Sequence, residues 1–520
     1  MASVFSEDLR IQNAENFKDL ITRQLSNTKV YFTFGKSIAW PDDNNPPQAN
    51  TSVTALNEVW TNMIGAKLLT GNEVRQVIVR KNWANNSVYH AYDHCTCSLI
   101  LFDANTNFYV MTPDWNVYKC LANNNGSLST VMPTQIYTDK AIEETDGYIW
   151  KYMYTVPVAE RSRFVTANYI PVRTLEETDG SLQWSVQQNA VAGALEAIRM
   201  TNFGSGYFNA NTVSVTITGD GSGAEAIPRI TSPTSNITFS TGAGTTVTTL
   251  NLSALAANSN VMLSNGATIN VNNTISKITL YVPSSNQITI NPGVSGNLTA
   301  NTITLVNAIT SIVTTLKGSG YTYANVTISD SNTTPGINAT ARAIISPTGG
   351  HGSDPVHELG ASYVILNPRL ETSENNKFPV TNDYRQVSLI SNPRLSSNSQ
   401  IVASNIAYSQ FTSAVFDFST AQYQQDEIVY QGTSLSGATF TGRVLNWDFT
   451  GNTMFITNTT GTLSVGQILI GDTSKTEKFV QSVRLNELKP YTGQLLYIDN
   501  TKPITRAADQ IEDFKIVMKF

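Results

Sequence analysis

The chain is 520 residues long, with a formal net charge of −6 and a pI near 5.4, a balance that argues against a nucleic-acid partner. Charged residues make up only 14% of it, against about 25% in ordinary soluble proteins, and Asn, Thr, Ser and Gly take their place. No stretch reaches the ~18 apolar residues of a membrane span, and Glu7, Asp8 and Arg10 stand where a signal peptide would be apolar, so the expectation is a protein that stays where it is made. The length predicts roughly three or four domains. Three cysteines (Cys95, Cys97, Cys120) are too few for a disulfide framework and suit a reducing cytoplasm.

In chain order, the spacing of Phe17, Leu20, Ile21 and Leu25 predicts a helix over residues 13–25 with Asn13 as its cap. A strand follows over 30–34, closed by Gly35, and then a Pro/Asn/Asp-rich loop over 36–47. A second helix is predicted over 52–64, with Val53, Leu56, Trp60, Met63 and Ile64 inward and Gly65 ending it. Residues 74–79 read as a strand, 97–102 and 107–111 as a hairpin, and 115–121 as a further strand. The strongest local signal is 146–157. Asp146-Gly147 is a turn and Pro157 a stop. Between them Tyr148, Trp150, Tyr152, Tyr154 and Val156 take one face, while Ile149, Lys151, Met153 and Thr155 take the other. Such an aromatic face serves as core for a β layer or as a docking surface with hydrogen-bonding hydroxyls.

Further along, Gly-Ser-Gly-Tyr occurs at 204–207 and again at 318–321, each followed by a Val-Thr-Ile strand, which points to an internal β repeat. Between the copies, residues 231–310 hold one charged side chain, Lys277, and read as an inserted antiparallel domain. A second insertion, 395–484, is punctuated by Gly432, Gly437, Gly442, Gly461, Gly466 and Gly471, the pattern of a small barrel or sandwich. The expected division is 1–190 as the N-terminal part of a core, 191–360 as an inserted β region, 361–394 as core again, 395–484 as the small module and 485–520 as closing strands. In the last of these Phe514, Ile516, Met518 and Phe520 alternate with Lys515 and Lys519, and the sheet carrying Tyr148 to Val156 is the expected partner. The fold class is mainly β: several antiparallel sandwiches or barrels, with a few short helices near the N-terminus.

Candidate chemistry is thin. Gly35-Lys36-Ser37 after a strand has the end of a phosphate loop, but Val30 stands where the first glycine is needed. His90, His94, Cys95, Cys97 and Cys120 are the one combination suited to zinc, yet they lack a second Cys-x-x-Cys pair, so no metal and no other cofactor is expected. Ser353, Asp354 and His357 follow a Gly-Gly-His-Gly run with no nucleophile elbow, and read as a structured connecting loop. No catalytic residue is assigned.

A set of ordered blocks carries a resemblance. Phe32-Thr33-Phe34-Gly35-Lys36-Ser37 with Trp40-Pro41, Val59 to Gly65, Arg80-Lys81-Asn82-Trp83, Val117 to Leu121, Asp146 to Trp150, Tyr384 to Pro393 and residues 493–520 are together similar to a baseplate wedge subunit of contractile-tailed bacteriophages, the β-rich dimeric component. The resemblance implies a non-enzymatic structural protein of the virion tail baseplate, assembled in the host cytoplasm. It also implies a homodimer that binds other wedge proteins, with no small-molecule substrate and no membrane insertion. Trp40, Trp60, Trp83 and Trp150 are the aromatic candidates for its interfaces. The alternative is a tail protein that binds or cleaves glycans, which would need clustered aromatics and paired carboxylates within one β domain.

Overall fold

The computed structural model describes residues 6–520 apart from 23–27, 97, 104, 238–245, 253–261, 296–301, 332–336, 372–377, 380–381 and 506–510. Leu25 and Cys97 therefore lie outside the described residues. The chain is mainly β, with several sheets, a closed barrel and short helices. Helices also occur well past the N-terminal region, at Val158–Phe164, Leu182–Gln188 and Pro355–Glu358. The chain divides into two compact units: residues 1–14, 76–363 and 520, and residues 15–75 and 364–519.

The first unit is organised on a four-stranded sheet in the order Tyr109–Met111, Asn116–Asn123, Tyr148–Thr155, Ile142–Glu143. In the Tyr148–Thr155 strand the expected aromatic face is core: Tyr148, Trp150, Tyr152, Tyr154 and the following Val156 are each 1% exposed or less. The hydroxyls stay satisfied in the interior, Tyr148 donating to the Ser127 carbonyl at 2.6 Å and Tyr154 to that of Pro171 at 2.9 Å. The opposite face is buried too, since Lys151 and Met153 have no exposure. The same unit contains a six-stranded sheet built from both Gly-Ser-Gly-Tyr regions. It also contains the inserted six-stranded sheet, whose strands run from Thr234–Asn236 to Thr302–Leu305.

The second unit holds a five-stranded sheet, in the order Ala407–Ser409, Met63–Leu68, Val30–Gly35, Asp383–Ser391, Gln494–Thr505. It also holds a closed barrel of Thr412–Phe416, Thr453–Gly461, Phe440–Asp448, Ile428–Gln431, Ile468–Gly471 and Glu477–Arg484 around Val429, Val444, Met454, Ile456 and Leu469.

Local expectations fail where tertiary pairing overrides pattern. The first helix runs Glu7–Thr22, so Asn13 is interior and caps nothing. The second runs Val53–Asn62 with Ser52 as its cap, and passes directly into the Met63–Leu68 strand. Gly65 does not end a helix; it pairs with Phe34, and a Cβ there would lie 2.6 Å from the Phe378 ring. Val53 is 74% exposed rather than inward. Residues 98–101 are helical, not a strand. The C-terminal strand, Ile516–Lys519, lies beside Tyr363–Leu366 and not in the sheet that carries Tyr148–Thr155. Alternation could place its apolar face but could not choose its partner.

Candidate functional site

A cluster of buried titratable groups lies in the first unit, on the non-aromatic face of the Tyr148–Thr155 strand. Lys119 and Lys151 sit opposite each other in the ladder, both with no exposure. Each has an acid. Lys119 Nζ is 2.8 Å from Glu358 Oε2, and Lys151 Nζ is 3.4 Å from Glu196 Oε2. Lys317 approaches the other Glu196 oxygen at 3.8 Å. The second Glu358 oxygen accepts from the backbone N–H of Gly352 at 2.7 Å and of Asp354 at 3.2 Å, so one carboxylate both neutralises a lysine and anchors a loop. His351 is 1% exposed, meets the Tyr92 ring edge-on at 4.9 Å and holds Nδ1 3.7 Å from Glu358. Burial pushes its pKa down, and the Lys119 charge pushes it further. Burial alone would raise Glu358, but Lys119 and His351 outweigh it and hold the carboxyl below its ordinary range.

The Gly-Gly-His-Gly run is explained by this packing. Gly350 has φ +99°, and a Cβ there would lie 2.3 Å from Val191 N; at Gly352, φ +90°, it would lie 2.4 Å from Val186 Cγ1. The glycines let the backbone close down so that His351 and Glu358 reach the lysines.

Adjoining this cluster, and sharing Lys119 and Glu358 with it, is a cavity of about 500 Å³ lined also by Asp93, His94, Asp354 and His357. Asp354 Oδ2 lies 2.7 Å from His357 Nδ1, and Thr174 donates to its other oxygen at 2.5 Å. No hydrolytic triad is assembled here: the Ser353 hydroxyl donates to the Gly350 carbonyl at 2.9 Å.

Ligand atoms of Asp93, His94 and Cys95 lie within 4.8 Å of one another. Two guanidiniums already hold the carboxylate, Arg199 at 2.9 Å and Arg342 through a bidentate pair. Burial would raise the Asp93 pKa, but Arg342 and Arg199 bring it down to about 2. Arg342 also lies 3.4 Å from Cys95 Sγ. A metal ion here would face two cations, so the residues fit a guanidinium–carboxylate cluster and do not fit zinc. His90 Nδ1 accepts from Asn107 N at 3.2 Å, and the buried Cys120 thiol donates to the Ala122 carbonyl at 3.4 Å; burial raises that thiol's pKa. Lys36, of the failed phosphate loop, has φ +64° and stacks its ammonium on Trp40 at 4.3 Å.

The four candidate tryptophans are divided between the two units, Trp83 and Trp150 in the first and Trp40 and Trp60 in the second. Trp150 is fully enclosed and Trp60 is 8% exposed, so neither can meet a partner in this conformation. Trp83 packs on the cluster around Trp150 and donates to Ser129 Oγ at 3.2 Å. Trp40 is half-buried, donating to the Thr501 carbonyl at 3.0 Å. The more exposed apolar surface is on the outer wall of the closed barrel, which pattern reading missed. There Tyr430 is opposite Ile470, Ile468 is opposite the half-exposed Phe479, and Phe479 shares two backbone-directed hydrogen bonds with Asp417, next to the 78%-exposed Phe418. Lys119, Lys151, Glu196 and Glu358 were also missed. The available signal was a lysine in the inward register of an otherwise apolar strand.

Two comparisons bear on identity. The family model described as Bacteriophage T4 Gp8 matches residues 3–132. The baseplate wedge protein gp8 of Enterobacteria phage T4 is 22% identical over 226 residues. The chain resembles a baseplate wedge subunit. That alignment covers 36% of this chain and 66% of the relative, a little under two thirds of the relative's length. The matched segment contains the Phe32 to Ser37, Val59 to Gly65, Arg80 to Trp83 and Val117 to Leu121 blocks, so the resemblance read from those residues is borne out.

Proposed function

We propose that this chain is a structural, non-enzymatic subunit of a contractile-tail baseplate wedge that binds a second copy of itself and neighbouring wedge proteins. The observation that carries the reading is the family match over residues 3–132, joined to a site chemistry in which Glu358, Ser353 and Asp93 are committed to ion pairs or loop contacts. Buried ion pairs that hold the first unit together suit a structural role for that unit. The stripe from Tyr430 to Phe418 on the barrel wall is an apolar surface of the kind that meets a partner, with Trp40 a second contact on the same unit. The barrel and the inserted sheet are carried modules rather than parts of the wedge core, and assembly takes place in the host cytoplasm.

The test is assembly. Coexpressed with the other wedge proteins of the same phage, the chain should co-sediment with them and appear in tail baseplates by cryo-electron microscopy. The Phe418→Ser/Phe479→Ser variant should keep its melting temperature and lose incorporation. Full incorporation of that variant would remove the barrel wall from the interface. A chain absent from assembled baseplates would overturn the role itself.

A further inference from the structure

The two Gly-Ser-Gly-Tyr tracts share a backbone as well as a sequence. Gly204 and Gly318 have φ of +61° and +60°; Gly206 and Gly320 have +90° and +76°. A Cβ on Gly204 would meet Ala339 N and Ile337 O, each at 2.6 Å, and one on Gly318 would meet Ala224 N at 2.6 Å and Ser222 O at 2.7 Å. The likeness continues through the six-stranded sheet that contains them.

In the first copy the strands are Ala197–Asn202, Val213–Gly219 and Ser222–Thr231; in the second they are Ala308–Ser319, Ala324–Asp330 and Thr340–Ile344. First and third strands pair across the copies, twice. One ladder runs Glu225 to Leu316, then a bulge, then Ala226 to Thr314, Ile227 to Val313, Pro228 to Ile312 and Arg229 to Ser311. The other runs Thr340 to Asn202, then a bulge, then Ala341 to Met200, Arg342 to Arg199, Ala343 to Ile198 and Ile344 to Ala197. A bulge interrupts each ladder at the same step, and the first ladder has a second irregularity, between Arg229 and Ile230, beyond the shared part. Ile198 pairs with Ile312, and Thr216 of one Val-Thr-Ile strand pairs with Thr327 of the other, so counterparts meet each other as they must on a two-fold axis.

The side chains exchange in the same way. The Tyr207 hydroxyl accepts from Ala339 N at 2.6 Å, and the Tyr321 hydroxyl accepts from Ala224 N at 3.4 Å. Gly206 and Tyr207 donate their N–H groups to Val306 and Asn307, while Gly320 and Tyr321 donate theirs to Ala192 and Gly193. Each tyrosine thus closes the opposite copy.

We infer that residues 192–231 and 306–346 are two copies of one three-stranded unit fused in a single chain, and that the surface each presents to the other is a homodimer interface whose partner is a second copy of the same unit. A shared glycine turn could recur by chance. A shared bulge position, reciprocal tyrosine bonds and self-paired residues on an axis are what an isologous interface produces. The fusion leaves two equivalent ends. At one, Ser205 Oγ accepts from Thr268 N of the inserted sheet. At the other, Lys317 Nζ, two residues before the matching Ser319, bonds to the carbonyls of Asp139 and Asn189 in the rest of the unit. The inserted sheet enters between Thr231 and Ala308, which pair with each other, just as the chain enters and leaves the fused unit beside the paired Ala194 and Ser346. One ancestral socket therefore holds two different domains. This inference does not depend on the proposed wedge role.

Amide hydrogen exchange on the full chain tests it. Tyr207→Phe should speed exchange at Ala339, and Tyr321→Phe at Ala224, each by about tenfold, with the amides of the substituted copy unchanged. A full-length chimera in which residues 306–346 are replaced by the sequence of 192–231 should retain protected amides on both sides of the second bulge. Its melt should remain cooperative though lowered, because the Lys317 and Arg342 contacts are lost. Tyrosine variants that speed exchange only within their own copy, or a chimera unprotected throughout the replaced segment, would overturn the proposal.

Discussion

Replacing Lys119 with methionine should be among the most damaging single changes in the first unit. At 2.8 Å, and with an effective dielectric of about 20, the attraction to Glu358 is about 6 kcal/mol. Desolvation of both groups offsets much of that, but removing one partner strands the other, and such truncations cost about 3–5 kcal/mol. Lys119→Met leaves Glu358, 3% exposed, without its cation and with His351 beside it as the remaining group that can take up a positive charge. Its link to Gly352 and Asp354 then competes with the need to rehydrate, so the loop over 349–358 should open. Amide exchange resolved along the chain is the right assay, because a protein with two units does not promise a single two-state melt. Protection should fall in residues 349–358 and in Tyr148–Thr155, and not in the barrel of the second unit. The loss should also depend on pH. With Lys119 gone, a protonated His351 can replace it as the counter-charge. Its folded-state pKa is then less depressed, because the Lys119 charge is gone while burial remains, so acidification withdraws less stability from the variant than from the parent. The defect should be largest at pH 8 and shrink below about pH 6.5. Adding Glu358→Gln, which keeps an oxygen for Gly352 while deleting the charge, should recover part of the protection. If the double variant is no better than the single, or the single variant loses nothing, the ion pair does not hold this loop.

The unsubstituted protein should be acid-sensitive in two steps: His351, whose pKa is depressed in the fold, withdraws stability as pH falls below about 6.5, and Glu358, also depressed, as pH falls below about 4.5. Protection of residues 349–358 relative to their intrinsic exchange rates, followed from pH 8 to about pH 3, would show a flat profile if neither titration is linked to folding. Gly350→Ala combines a forbidden φ with a Cβ 2.3 Å from Val191 N and should destabilise by more than about 3 kcal/mol, whereas Gly180→Ala, at φ +77° with open space around it, should cost only about 1–2 kcal/mol by denaturant titration. Zinc should bind neither the native protein nor Cys95→Ser. Stoichiometric zinc that disappears in the variant would show that the Arg199 and Arg342 charges do not exclude a cation.

The Tyr148–Thr155 strand was legible because its signal is local: a turn before it, a proline after it and strict alternation between them. What covers its second face was not, since Glu196, His351 and Glu358 arrive from far along the chain, and alternation assigns Lys151 to a face without saying whether that face meets water. Helix ends misread for a related reason. Nothing at Met63 breaks a helix, and the change to strand is imposed by pairing with Val30–Gly35. The run Ser98-Leu99-Ile100-Leu101 is apolar without a period, the case in which helix and strand cannot be told apart. The Gly-Ser-Gly-Tyr repeat could be read from the letters. That each copy completes the other could not, because reciprocity is a property of pairing rather than of composition.

The low charge content finds its physical account in the same sheets. Where many proteins place cross-strand ion pairs, this one places hydroxyls: Thr201 with Thr340 at 2.7 Å, Ser214 with Ser329 at 2.8 Å, Thr231 with Thr310 at 2.9 Å and Thr234 with Thr304 at 2.8 Å, all on exposed positions. Neutral pairs have no Coulomb term for salt to screen, and the inserted sheet carries Lys277 as its one charged residue. Its strands Thr268–Val271, Thr274–Val282 and Gln287–Ser295 should therefore keep the same exchange protection from about 0.05 M to about 1 M NaCl, over which the screening length falls to about 3 Å. The half-exposed Arg229–Glu143 pair, at 2.8 Å, should loosen over the same range and serve as an internal control. If protection in the inserted sheet falls in step with that pair, its stability is electrostatic after all, and its near absence of charged side chains does not govern its response to salt.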